Sequence, residues 1–166
     1  MDPVFIWIEE TAISTWVRES ISMFAFPGIL ALHTIGMAFL VGTTSAFSIR
    51  VLGFAPGVPV ESMLRFRPVV WFGFIVNLIS GLLLLAAYPA KALTNPVFYL
   101  KLGAIAVALV AVRALGRRVA GLVPGIAGGW RSNTALAGYT LAFWAVSITA
   151  GRFLAYTHSR LMASGF

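Results

Sequence analysis

Four stretches of this chain, residues 24–49, 69–87, 96–115 and 134–156, are long, apolar and almost free of charge. Each is roughly 20 residues or more, the length a helix needs to cross bilayer hydrocarbon. Backbone N–H and C=O groups find no water there, so a single apolar segment of this length must pair them internally as a helix. The pattern predicts an all-α, polytopic membrane protein: a bundle of four transmembrane helices. Composition agrees, because 166 residues that are 60% hydrophobic and 10% charged cannot cover a water-soluble globule with polar surface. The spans and their connections use nearly the whole chain, so residues 1–166 read as one membrane domain.

Residues 3–18 read differently. Val4, Ile8, Ala12 and Trp16 recur at helical spacing, and Glu9, Glu10, Ser14 and Arg18 fall largely on the other side. With Asp2-Pro3 as a helix start, this segment is predicted to be an amphipathic helix lying in the membrane interface. The alternative is an extension of the first span. Met1-Asp2-Pro3 lacks the basic region and small-residue cleavage site of a signal peptide, so the N-terminus is expected to be retained.

The formal charge of +7 does not point to nucleic acid, since the basic residues sit between apolar runs and not on one polar face. They act as topology signals. Arg50, Arg65, Arg67, Arg113, Arg117, Arg118 and Arg131 fall on one side of the predicted spans. Arg18, Lys91, Lys101, Arg152 and Arg160 fall on the other, with four of the five acids. The positive-inside bias places the first group in the cytoplasm and both termini outside it.

An internal repeat is suggested by Arg50-Val51-Leu52-Gly53 with Pro56-Gly57, against Arg113-Ala114-Leu115-Gly116 with Pro124-Gly125. Gly81 with Tyr88, and Gly151 with His158, keep the same spacing. A two-plus-two duplication would give a pseudo-symmetric bundle, and chance likeness among apolar helices is the alternative.

Ionisable side chains inside a span cost roughly 2.5–3.5 kcal/mol each on insertion scales, so each needs a reason. His33 is the sharpest case: it lies inside the first span, with Met37 one turn away on the same face and Gly36 permitting a close neighbour. A neutral imidazole there could ligate haem iron, or hold Cu(I) beside the Met37 thioether. It could equally be bonded to a hydroxyl or carbonyl of a neighbouring helix. The other histidine, His158, is the one remaining candidate for a second axial ligand. Counted from the arginine side at 1.5 Å per residue, His33 lies at roughly 25 Å and His158 at roughly 36 Å. That mismatch strains a bis-histidine haem and favours a His/Met pair, a ligand from another subunit or a metal ion. Arg152 and Lys101 could pair with an anionic group such as a haem propionate, or else snorkel to the interface. Asn77 and Ser80 are expected to join helices by hydrogen bonds.

Other chemistries are missing. Cysteine is absent, which removes disulfides, thiolate metal sites and cysteine nucleophiles. No span contains Asp or Glu, and no phosphate loop, Ser/His/Asp set or paired zinc histidines occur, so self-contained hydrolytic or phosphoryl-transfer activity is not expected.

Residues 24–53 and 95–156 resemble an uncharacterised family of small four-helix bacterial inner-membrane proteins. The likeness rests on Leu32-His33 with Gly36 and Gly42, Arg50-x-Leu52-Gly53, Asn95-Pro96-x-Phe98 with Lys101, and Gly151-Arg152 with Ala155-Tyr156. The histidine on the first span also resembles, more distantly, copper-resistance D-type membrane proteins and small b-type cytochrome anchors. These resemblances imply a multi-pass protein of the bacterial inner membrane, in which the charge bias would make both termini periplasmic. Three functions stay open. The first is a subunit of a periplasm-facing redox assembly, binding haem b or a metal ion through His33 with Arg152 and His158 as further cofactor contacts. The second is a copper-handling permease using His33 and Met37. The third is a structural subunit without cofactor that packs with copies of itself or with other membrane subunits.

Overall fold

The computed structural model describes residues 3–121 and 130–163, with side chains at positions 6–121 and 132–154. In chain order the elements are α1 (Pro3–Glu9), α2 (Ala12–Glu19), α3 (Phe26–Val51), a 3-10 segment (Val60–Phe66), α4 (Arg67–Ala87), α5 (Pro89–Leu93), α6 (Pro96–Val119) and α7 (Trp130–Ala163). Among the described residues four helices are long and apolar enough to cross a membrane: Phe26–Val51, Val60–Ala87, Pro96–Val119 and Ser132–Leu154. No more than 28% of any of these spans is buried inside the protein, so most of their apolar side chains face outward. Only a hydrocarbon surrounding accommodates that. The chain is a polytopic, all-α membrane protein.

Local sequence sets the helix ends. Pro27, Pro68 and Pro96 sit in the first turns of α3, α4 and α6, where a missing N–H costs nothing. Asn95 caps α6, its side chain accepting from Val97 N at 3.0 Å. Beyond α3 the chain turns at Gly53 with φ +105°, and the Arg50 side chain donates to Pro56 O and Val58 O, folding the turn back over the helix end.

Where one amphipathic helix is expected over 3–18, the chain forms two. Thr11 adopts extended backbone, its hydroxyl donates to Ile8 O at 2.8 Å, and it caps α2 by accepting from Ser14 N. Arg18 then reaches back across the break, donating to Glu9 O at 2.8 Å and pairing with the Glu9 carboxylate at 3.5 Å. The pair is pinned to the end of α4: Ser14 Oγ donates to Ala86 O at 2.9 Å, and Val17 packs with Ile29 and Ala87. Trp7, Ile13 and Trp16 remain exposed.

The long helices form two sequential hairpins. α3 packs along α4 and α6 along α7, and the hairpins are joined chiefly through α3 and α7. A two-fold repeat would match that junction with one between α6 and α4, yet those two helices scarcely touch. A central cluster of Leu40, Ala108 and Trp144 ties α3, α6 and α7 together, and Phe74 of α4 packs against it. A second cluster, Phe47, Val51, Leu115 and Ala137, closes the arginine-rich end. Between α4 and α6 a seam stays open, and the cavities on either side of Phe74 lie in it.

Candidate functional site

The site begins with a close crossing. A methyl group on Gly36 would stand 2.7 Å from Asn77 N, so α3 and α4 touch backbone to backbone at this level. This contact brings His33, one turn earlier on α3, opposite Asn77, Ser80 and Gly81. Asn77 Nδ2 donates to His33 O at 2.9 Å, and His33 Nδ1 lies 3.1 Å from Ser80 Oγ. Gly81 makes room for the ring, since a Cβ there would come within 3.2 Å of His33 Cε1.

The hydrogen bonds assign the imidazole tautomer. Ser80 has one proton to give, and its shortest contact is Val76 O at 2.6 Å. That carbonyl takes the proton, leaving an oxygen lone pair for the ring, so Nδ1 carries the hydrogen in neutral His33. Nε2 is then the basic nitrogen, and it has no hydrogen-bond partner among the described residues. The neighbouring-helix hydroxyl anticipated from sequence is therefore present. It occupies one ring nitrogen and orients the other.

His33 lines a cavity of about 840 Å³ between α4 and α6, with α3 and α7 forming its other walls. That volume falls within the range of small-molecule sites, roughly 300–1,000 Å³. Met37, Lys101 and Arg152 line the same cavity, as do Asn77 and the buried Ser147. Lys101 of α6 reaches across to α7, where a Cβ on Gly151 would lie 3.7 Å from Nζ. Lys91 also lines the cavity, and among the described residues neither Asp nor Glu does. The space is apolar over most of its lining, and its charged lining residues among the described residues are cationic.

His158 belongs to α7, six residues beyond Arg152 and so about 9 Å further along the helix. Its side chain lies outside the described residues. Among the described residues no group of three or more His, Cys, Asp or Glu side chains could hold a metal ion. A free ion would find His33 and the weak Met37 thioether, whereas a porphyrin brings four nitrogens of its own and needs only axial protein ligands.

No known protein family, curated protein or solved structure matches this chain. The likenesses drawn from sequence thus reach as far as a small four-span membrane protein, and no family is identified. The sequence singled out His33, Met37, Lys101 and Arg152 separately, and the fold places all four on one wall system. Sequence reasoning took Gly81 as a residue of the suspected repeat and not as part of a site, and it missed Ser147 and the short helix α5. Gly81 and Ser147 look like ordinary small residues of a span, and only the geometry of the seam shows that they border the cavity.

Proposed function

We propose that the protein is a cofactor-binding membrane subunit, holding haem b in the seam between α4 and α6 with His33 Nε2 as an axial ligand. The observation that carries this reading is the state of His33: Nδ1–H bonded to Ser80, Nε2 without a partner among the described residues, and the ring on a cavity that also receives Lys101 and Arg152. A ligating histidine usually donates its second N–H to a fixed oxygen, which orients the ring and raises its basicity. Lys101 and Arg152 would meet the propionates, because a cationic side chain in hydrocarbon is stabilised by an anionic partner. Met37 or a residue of another subunit would complete the coordination. Bound haem supplies one-electron redox chemistry, which suits a subunit of a larger electron-transfer assembly. The arginine bias orients it with the α3–α4 and α6–α7 connections in the cytoplasm of a bacterial inner membrane and the cavity nearer the periplasm.

A second reading, passage of copper, is favoured by one observation: Met37 lies on the same cavity wall as His33, giving a nitrogen and a soft sulfur on successive turns.

Purification in mild detergent from haem-replete cells, followed by visible spectroscopy and metal analysis, tests both. A Soret band that disappears in His33→Ala is expected. Stoichiometric copper without a Soret band would favour the second reading, and a protein empty of both would leave a packing role for the subunit.

A further inference from the structure

The second cavity of the seam lies on the other side of Phe74, at the arginine-rich end, and has a volume of about 410 Å³. Its floor is α3 at Thr43, Thr44 and Phe47, and its sides are α4, α6 and the 3-10 segment. The inner part is apolar, with Val70, Trp71 and Phe74 facing Leu109 and Val112. Its cationic part comes from two helices. Arg67 opens α4, while Arg113 and Arg117 stand four residues apart on one face of α6. Among the described residues no acidic side chain lines this cavity.

We infer that this cleft is a binding site for an anionic phospholipid of the bilayer, with the phosphate between Arg67, Arg113 and Arg117 and the upper part of one acyl chain along Trp71, Phe74 and Leu109. The shape of the charge supports a lipid over a protein partner. Arg67, Arg113 and Arg117 line a cleft in the α4–α6 seam whose inner part is apolar, so a fitting occupant is anionic in one part and aliphatic in the other. Arginine forks match phosphate oxygens two at a time, and basic pockets between transmembrane helices select anionic head groups in this way. The first turn of α4 adds the positive end of its helix dipole at Arg67. Neutral phospholipids can fill the slot, but their head groups carry a cation that the three arginines repel.

The test uses the full chain in mild detergent, titrated with phosphatidylglycerol or phosphatidylcholine of identical acyl chains and read by native mass spectrometry and melting temperature. Wild-type protein is expected to retain one phosphatidylglycerol with a preference of about tenfold or more. Arg113→Gln/Arg117→Gln should bring the two lipids to parity, whereas Arg65→Gln/Arg118→Gln, which removes equal charge from the same end outside the cleft, should keep the preference. Gly116→Leu fills the slot without changing charge. A Cβ at Gly116 meets nothing closer than Leu64 Cδ2 at 3.9 Å, so the new side chain starts without a backbone clash, and the variant, once its lipid-free melting temperature matches wild type, should lose retention of the lipid. Equal loss in both double variants, or no preference in wild type, overturns the inference. So does soluble glycerol phosphate that raises the melting temperature as much as the lipid, since the site would then read phosphate alone.

Discussion

Gly36 of α3 and Gly73 of α4 interlock: a Cβ on Gly73 would stand 2.7 Å from Leu40 N and 2.9 Å from Gly36 O, and a Cβ on Gly36 would stand 3.1 Å from Gly73 O. Both clashes are with backbone, which cannot rotate away as a side chain can. Gly36→Ala or Gly73→Ala is therefore expected to push the helices apart and destabilise the fold by about 1–3 kcal/mol, the usual cost of overpacking. Gly42→Ala on the same helix meets nothing within 4 Å and should be neutral or slightly stabilising. Unfolding in micelles, followed by circular dichroism, compares the three. Equal stability of all three variants would mean that the crossing is not a tight contact.

The crossing also sets the distance between His33 and Ser80, and the two helices are held there by polar bonds. Ser80→Ala removes the acceptor for Nδ1–H while keeping the helix former. The lost interhelical bond is expected to cost about 0.6 kcal/mol, too little to unfold the bundle. Ligand affinity should fall more, by about 10–100-fold, because the ring loses its orientation and its tautomer preference. Cofactor titration of wild type and variant measures this. Unchanged affinity would show that Ser80 only joins helices.

Much of the fold could be read from the chain because hydrocarbon imposes a simple rule. Apolar length marks the spans, and Asn95-Pro96 marks the start of α6, where the capping bond is made to Val97 N. Gly36 could be read as permitting a close neighbour, but nothing in the one-dimensional pattern names Gly73 as that neighbour. The division of the N-terminal segment at Thr11 was hidden because the apolar period of Ile8, Ala12 and Trp16 continues across the break. Which helices pair was hidden for a related reason. Spans apolar on every side face lipid and protein with the same residue types, so the open seam between α4 and α6 emerges only from three-dimensional packing. The candidate site follows that division: His33, Met37, Lys101 and Arg152 stand out as polar or soft residues in or near spans, while their common cavity depends on the seam.

Lys101 and Arg152 approach one cavity from α6 and α7, and among the described residues no acidic side chain lines its wall. Lys101→Met replaces the ammonium group by an apolar side chain of similar length, so the bundle should be no less stable than wild type. Retention of an anionic ligand should weaken by about tenfold or more, the worth of a charge-assisted hydrogen bond of about 1.5–3 kcal/mol. Arg152→Gln should act in the same direction. The rate at which bound haem is lost to a competing apoprotein measures both effects. Loss at the wild-type rate would leave these cations without a role in anchoring.

Orientation can be tested cleanly because the chain contains no cysteine, so a single introduced thiol is the only site a maleimide can label. Gly57 lies exposed between α3 and the 3-10 segment, and Thr94 lies exposed between α5 and α6, on opposite sides of the hydrocarbon if α4 spans it. The excess of arginine at the Gly57 end should hold that side in the cytoplasm. In intact cells a membrane-impermeant maleimide is expected to label Thr94→Cys and to reach Gly57→Cys only after the membrane is broken. The reverse pattern would invert the orientation and place the His33 cavity nearer the cytoplasm. Labelling of both positions in intact cells would mean that α4 does not cross the membrane.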